Sequence, residues 1–231
     1  MDRNAKGSQK ALALIKFFSK EEHYLAFKSG LLLLRTPHFY RTCEDPGRGD
    51  RSESCLGYWD KGLGHEMPDI VRDGSSMDMT EVKSVLVYPV DEQFDAWLQS
   101  WCLIGPYNDF EGSLQRMIDE FGPYFVLLPA EHVESFATLL ENTSGAAVRY
   151  GLVRYSDNPL ERSLTVKDFK YSYQKEFRFF VGECRKGETQ DKHIQLEGLD
   201  NILSNAQSLK IASPSGVITY CSVGQKKIVT A

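Results

Sequence analysis

The chain has 231 residues, of which 42% are hydrophobic and 12% aromatic, so it can close a sizeable core and is not disordered overall. Its 27 basic residues are interspersed among 32 acidic ones, for a formal net charge of -5. This balance excludes a general attraction to the phosphates of nucleic acid, and nucleic acid is therefore not the favoured partner.

Membrane and metal signals are missing from the sequence. Residues 1–10 are polar, and no later run approaches the roughly 20 apolar residues of a membrane span, so we expect a cytoplasmic protein. Five scattered cysteines include no Cys-x-x-Cys pair, which favours reduced thiols. The nearest grouping of histidines and cysteines, between residues 38 and 65, fits no standard zinc spacing, and we predict no metal.

The first predicted elements are a strand, a helix and a second strand. Residues 11–18 form an apolar run that predicts a strand. Ser19 and Glu22 then have the spacing of a capping box, which predicts a helix that stops at Gly30. Residues 31–34 are all leucine and predict a short buried strand.

A glycine- and proline-rich loop follows, from about residue 42 to residue 80. Loops of this length are usually functional or disordered, so we expect a lid, a ligand-facing surface or a mobile insertion. Tyr40 and Arg41 stand at its edge, near Asp50 and Glu53. The arginine could bind a phosphate or carboxylate. The favoured alternative is a solvated loop with weak local ion pairs.

The middle of the chain alternates between strand and helix patterns, and the part after residue 146 is rich in strands. The predicted elements are, in order, a strand at 82–88, a helix at 91–99, a strand at 101–104, a helix capped by Asn108 or Asp109 and ending at Gly122, a strand at 124–128, a helix with Pro129 in its first turn, and strands at 147–155, 176–183, 193–196, 208–211 and 217–222. Without a repeat or linker, this order predicts one α+β domain over residues 1–231, with a mixed, largely antiparallel sheet and packed helices.

The segment Tyr-Ser-Tyr-Gln-Lys-Glu-Phe-Arg-Phe at residues 171–179 is the strongest candidate site. On an extended strand, Gln174, Glu176 and Arg178 would share one face. Such a carboxylate can hold a sugar hydroxyl and stabilise developing positive charge, and the arginine can keep it ionised. The alternative is an edge strand with a polar outer face.

Four segments, taken in order, resemble a family of bacterial and phage proteins that contain a domain of unknown function. They are residues 14–18, the acids Asp50 and Glu53, residues 101–105 and residues 169–178. The last segment is similar to the family's aromatic, Glu-x-Glu, aromatic, Arg box, with Gln174 at the first acid and Phe177 at the usual tryptophan. The family's Asn-Asp-Pro-Phe-Glu box corresponds to Asp-Arg-Ser-Glu at residues 50–53.

A second resemblance is to ADP-ribosyltransferases, some of which carry a Gln-x-Glu pair on a strand whose glutamate orients the ribose of NAD. Gln174 and Glu176 are similar to that pair, while the first strand offers Lys16 where those enzymes usually carry Arg or His. The resemblance implies an enzyme that uses NAD on a protein or nucleic-acid acceptor. It assigns catalytic roles to Glu176 and Gln174 and NAD binding to Tyr40, Arg41 and Arg178.

Two other functions stay open at this point. One is a non-catalytic phage or bacterial protein that docks its acidic surface or its long loop on a defence or host protein and inhibits it. The other is a metal-dependent nuclease using Asp50, Glu53 and Glu176, which the negative net charge and the lack of a basic stripe make the weakest.

Overall fold

The computed structural model describes residues 13–45, 47–55, 57–87, 95–105, 110–158, 161–212 and 216–231. The strands in these ranges are β1 (Ala13–Phe18), β2 (Leu31–Leu34), β3 (Gly57–Asp60), β4 (Val71–Arg72), β5 (Ser75–Ser76), β6 (Ser84–Val87), β7 (Asp95–Ile104), β8 (Tyr124–Pro129), β9 (Val148–Leu152), β10 (Arg154–Ser156), β11 (Val166–Asp168), β12 (Glu176–Cys184), β13 (Lys192–Gln195), β14 (Ser208–Ala212), β15 (Ile218–Ser222) and β16 (Val229–Thr230). The α-helices are α1 (Glu21–Lys28), α2 (Pro37–Thr42), α3 (Phe110–Phe121) and α4 (Val133–Ser144).

The centre of the fold is a five-stranded sheet in the order β8-β1-β7-β12-β9, and all of its pairings are antiparallel. Smaller sheets surround it: β2 pairs with β13, β3 with β6, β4 with β5, and β14 to β16 form a meander. The pair β10–β11 is parallel. The predicted α+β fold with a largely antiparallel sheet and packed helices is confirmed, and the one parallel pair among the described strands lies outside the central sheet.

Helices pack on both faces of the central sheet. Successive residues of a strand point to opposite faces, so each strand can bury side chains on both sides. Leu14 of β1 packs with α1 and α4 on one face, where Phe136 is fully buried. Ile15, the next residue, packs on the other face against α3. Replacing a ring such as that of Phe136 with alanine typically costs about 3–5 kcal/mol of folding stability. This two-sided burial fixes the sheet that carries the site.

The helix α3 is amphipathic and meets the expectation from its sequence. Phe110, Leu114, Met117 and Ile118 are buried, as their three-and-four spacing predicts. Gly122 follows with a φ of 109°, and a Cβ there would overlap with the backbone of residues 18 and 19. Only glycine fits that turn. The predicted caps Asn108 and Asp109 lie outside the described residues.

The central sheet splits between β1 and β7. Their pairing covers only Ala13, Leu14 and Ile15, opposite Ile104, Leu103 and Cys102. Beyond that point β1 continues along β8 up to Phe18, while β7 stays paired with β12. Farther along β7, a single bridge joins Leu98 to Arg35, just after β2. Between the β1–β7 pairing and the Leu98–Arg35 bridge, β1 and β7 are separated, and the sheet is open there.

The predicted helix at residues 91–99 is wrong where the structure describes it. Residues 95–99 belong to the ten-residue strand β7, and residues 91–94 lie outside the described residues. Within β7, Trp97 pairs with Val181 and Leu98 with Phe180. A short apolar run does not distinguish helix from strand by its spacing, and long-range pairing decides here.

Two helix starts also differ from the prediction. The N-cap of α1 is Lys20, not Ser19, and it makes no side-chain cap hydrogen bond. Pro129 ends β8, and a 3-10 turn, Ala130–His132, leads into α4. Both starts are set by the sheet that precedes them, because β1 and β8 pair along their whole length up to these residues.

The predicted mobile or solvated loop at about 42–80 has two different parts. Residues 47–55, which we call the buried loop, include Asp50, Glu53 and Ser54, each no more than 3% exposed. Residues 57–87, which we call the arm, form two small antiparallel pairs, β3–β6 and β4–β5, and are largely exposed from residue 61 onward. The solvated-loop interpretation of Asp50 and Glu53 is therefore wrong.

Helix length and apolarity bear on membrane insertion. In the described part of the chain, no helix combines the length and the apolar character needed to cross a bilayer.

Candidate functional site

A cavity of about 420 Å³ occupies the split between β1 and β7. Its volume lies within the roughly 300–1,000 Å³ that is usual for small-molecule sites. Lys16 and Phe27 line one side, and Ser100 of β7 lies opposite. Glu176 and Arg178, from the neighbouring strand β12, also reach it. The split in the sheet thus exposes residues that a continuous sheet would cover.

A buried network of four charged side chains lies on the β12 side of the cavity, and three of them, Lys167, Glu176 and Arg178, line it. Arg178 donates to both carboxylate oxygens of Glu53, at 2.6 and 2.7 Å, and to Oε1 of Glu176 at 2.7 Å. Lys167 donates to Oε2 of Glu176 at 3.0 Å. All four side chains are at most 7% exposed. Two acids and two bases balance, as burial of charge requires.

The two acids of this network experience different electrostatic environments. Burial would raise the pKa of Glu176, but the charges of Arg178 and Lys167 outweigh burial and hold that pKa well below its usual value. A hydrogen bond from the Ser100 side chain acts in the same direction. For Glu53, burial raises the pKa and Arg178 offsets only part of the effect. Glu176 is therefore a firmly ionised carboxylate at the cavity wall.

Gln174 joins this network from a different backbone conformation than predicted. It ends the 3-10 helix Phe169–Gln174, and Lys175 then takes a left-handed φ of 44° before β12 begins. Its side-chain oxygen accepts from Lys167 at 3.2 Å, and its amide nitrogen donates to the Gly47 carbonyl at 3.0 Å and to the Tyr173 hydroxyl at 3.1 Å. Gln174 thus anchors the buried loop.

The strand that carries Glu176 is not at an edge of the sheet. β12 lies between β7 and β9, and Glu176 and Arg178 are 5% and 1% exposed. The edge-strand interpretation is therefore wrong, because both neighbours of β12 are paired along its length.

Tyr40 and Arg41 are adjacent in sequence, but their side chains lie in different parts of the structure. Tyr40 lines the cavity, where burial raises the pKa of its hydroxyl to about 12. Arg41 is not among the cavity residues. It donates to the Glu53 carbonyl at 3.0 Å and to Asp95 at 3.4 Å, and Asp95 also accepts from Lys186 at 2.7 Å. Its guanidinium therefore fastens the buried loop to β7 and lies apart from the cavity, which argues against the predicted cofactor contact of Arg41.

Positive charge dominates the cavity. Among the described residues that line it, Glu176 is the one carboxylate, and the lysines and arginines are Lys16, Arg35, Arg48, Lys167 and Arg178. Sequence reasoning missed Arg35, Arg48 and Lys167 as site residues. A signal did exist for Lys16, because it interrupts an apolar strand between Ile15 and Phe17.

One of the residues that line the cavity is a cysteine. Cys102 lines the cavity, but burial raises the pKa of its thiol to about 12, which keeps it protonated. Across the described residues, no three histidine, cysteine, aspartate or glutamate side chains are grouped so that they could hold a metal ion.

The chain matches no protein-family model, no curated protein and no solved structure.

Proposed function

We propose that the chain is an ADP-ribosyltransferase-like enzyme that binds NAD in the cavity between β1 and β7. The observation that carries the proposal is the ionised Glu176 carboxylate in the wall of a cavity whose other charged lining residues are lysines and arginines. A dinucleotide needs both features, because its pyrophosphate is negative and the ribose next to the scissile bond becomes positive as that bond breaks.

The bases at the cavity fit the negative part of such a ligand. Arg48 and Arg35 come from different segments, the buried loop and the end of β2, and both line the cavity. Arginine presents a planar fork that suits phosphate oxygens. The Phe27 ring and the Tyr40 ring add flat apolar surface for a base or a nicotinamide. These residues would hold NAD, together with Arg178 at the cavity wall.

NAD would supply the ADP-ribosyl group, with nicotinamide as the leaving group, to a protein or nucleic-acid acceptor. The carboxylate of Glu176 would accept a hydrogen bond from a ribose hydroxyl and stabilise developing positive charge. Arg178 and Lys167 hold it in place and keep it ionised. Gln174 fixes the buried loop through Gly47. Removing one preorganised electrostatic contact of this kind typically lowers kcat by about 10²–10³-fold.

The cysteines are compatible with a cytoplasmic location for this enzyme. All five are free thiols, and four of them are buried. Free thiols are usual in a reducing compartment. The proposal therefore includes the cytoplasm as the place of reaction.

The test is calorimetric titration with NAD, together with an assay of nicotinamide release. We compare the wild type with Glu176→Gln, which keeps the size of the side chain and removes its charge. Glu183→Gln is the matched control, because Glu183 is exposed on the same strand. We expect Glu176→Gln to abolish nicotinamide release and the control to behave as wild type. Failure of the wild type to bind NAD overturns the proposal.

A second candidate function is suggested by the arm. It exposes apolar side chains, with Leu63 at 53%, Val71 at 61% and Met77 at 44%. Exposed apolar groups in one segment are typical of protein-binding surfaces. On this alternative, the chain is a non-catalytic phage or bacterial protein whose arm docks on a defence or host protein.

The two candidates predict opposite results for the same pair of variants. The chain would be expressed in bacteria, and its effect on bacterial growth and on phage plating would be measured. If the arm acts, Val71→Asp abolishes the effect of expression and Glu176→Gln leaves it intact. If the enzyme acts, Glu176→Gln abolishes it.

A further inference from the structure

The side chain of Lys16 lies in the cavity in an unusual setting for a lysine. Its strand β1 has just left β7, and its Nζ donates to the Ser100 carbonyl oxygen at 2.8 Å across the split. The Nζ also lies 5.9 Å from the centre of the Phe27 ring. Within the described residues, no carboxylate forms an ion pair with it. An amine held this way has lost much of its hydration without gaining a counter-ion.

The neighbours of Lys16 increase this effect. Burial is the main cause that lowers its pKa to about 8, and the charges of Arg48 and Arg35 lower it further. Cys102 and Glu176 raise it, but they do not offset burial. A substantial fraction of Lys16 is therefore a neutral amine near pH 8, whereas an ordinary lysine is almost entirely protonated there.

We propose that Lys16 is a nucleophilic amine that forms an imine with an aldehyde carrying an anionic group. Amines become nucleophiles in proteins when they are desolvated or placed beside other cations, and Lys16 is both. The bases Arg35 and Arg48 supply the attraction for the anionic group. The proposal concerns the same cavity as NAD binding but does not depend on it.

The reaction balances without any other reagent. The nitrogen lone pair of neutral Lys16 attacks the carbonyl carbon, and the carbonyl oxygen takes up the proton that the nitrogen loses. The resulting carbinolamine expels water, and a carbon–nitrogen double bond forms between the lysine and the former aldehyde. Nothing is oxidised or reduced, and hydrolysis reverses the step.

Pyridoxal 5′-phosphate is a suitable probe because it combines an aldehyde, a ring and a phosphate. The full chain would be incubated with it, reduced with borohydride to make the linkage permanent, and digested for peptide mapping by mass spectrometry. We expect labelling at Lys16 to be at least tenfold faster at pH 7.5 than at exposed lysines, because the neutral fraction of its amine is about two hundredfold larger and its lower basicity offsets only part of that gain. The rate at Lys16 should reach half of its maximum near pH 8.

Two variants and a second probe separate this proposal from surface chemistry. Lys16→Arg keeps a positive charge and should abolish the fast labelling, whereas Lys20→Arg, at an exposed lysine two residues after β1, should not. Pyridoxal, which lacks the phosphate, should react at least tenfold more slowly at Lys16. Equal labelling of Lys16 and the surface lysines in the wild type overturns the proposal, whether or not Lys16→Arg folds. NAD titration of the same samples reports on the proposed function separately.

Discussion

Replacing Glu53 with glutamine tests how much the buried charge network contributes to folding. Arg178 would lose its two short contacts to a carboxylate and keep Glu176 and the Leu164 carbonyl as partners. The network would then carry two positive charges against one negative. Breaking a buried ion pair on one side typically costs about 3–5 kcal/mol. Because glutamine keeps one acceptor oxygen, we expect the lower end, about 3 kcal/mol.

The measurement is unfolding by urea at pH 7, with a thermal melt alongside. A loss of about 3 kcal/mol should lower the Tm by about 6–12 °C in a chain of this length. Glu161→Gln is the control, because Glu161 pairs with Arg154 in solvent, where the two side chains are 40% and 65% exposed. We expect that control to leave both midpoints unchanged. If Glu53→Gln also leaves them unchanged, the network does not stabilise the fold and our reasoning about it fails.

Five further substitutions have definite expected outcomes. Glu176→Gln should lower the unfolding free energy at pH 7, and the loss should shrink as the pH falls below 4.5, because the lowered pKa of Glu176 stabilises the fold only while it stays ionised; urea titrations at several pH values check this. Lys16→Met should raise the urea midpoint at pH 7, and the gain should diminish between about pH 8 and pH 10.5, where the wild-type amine loses its proton. Arg41→Met should lower the Tm but leave the Kd for NAD unchanged, whereas Arg48→Met should raise that Kd about tenfold by calorimetry. Gly49→Ala should lower the Tm, since a Cβ would overlap with the Cys43 carbonyl oxygen.

The local sequence pattern correctly predicts the elements whose structure depends mainly on their own residues. The four leucines of β2 and the apolar run of β8 form strands as expected, and α3 buries its predicted face. The segment 95–99 is different, because Trp97 and Leu98 fit a helix as well as a strand. Their partners Val181 and Phe180 are more than 80 residues away in the chain, and no local pattern includes them.

The candidate site is predictable only in part, for the same reason. The spacing of Glu176 and Arg178 correctly places both side chains in one cluster. It does not predict that Glu53, 125 residues away from Arg178, completes that cluster. Charged residues in a glycine-rich segment normally face solvent, so composition alone argues for the opposite of what the buried loop does. The position of Lys16 also depends on where β1 and β7 separate, which is a property of the whole sheet.

The pairing order of the central sheet has a consequence for how the protein is made. β1 pairs with β7 and β8, whose partner residues follow it by roughly 90 to 115 positions, and β7 also pairs with β12, which is synthesised later. Sheets built from such distant partners fold slowly, because long chain loops must close before their contacts form. A ribosome must therefore synthesise the chain through β12, Glu176–Cys184, before the cavity can have its β12 wall. A ligand of this cavity would recognise only completed molecules, so its binding could serve as a direct measure of the fully folded fraction.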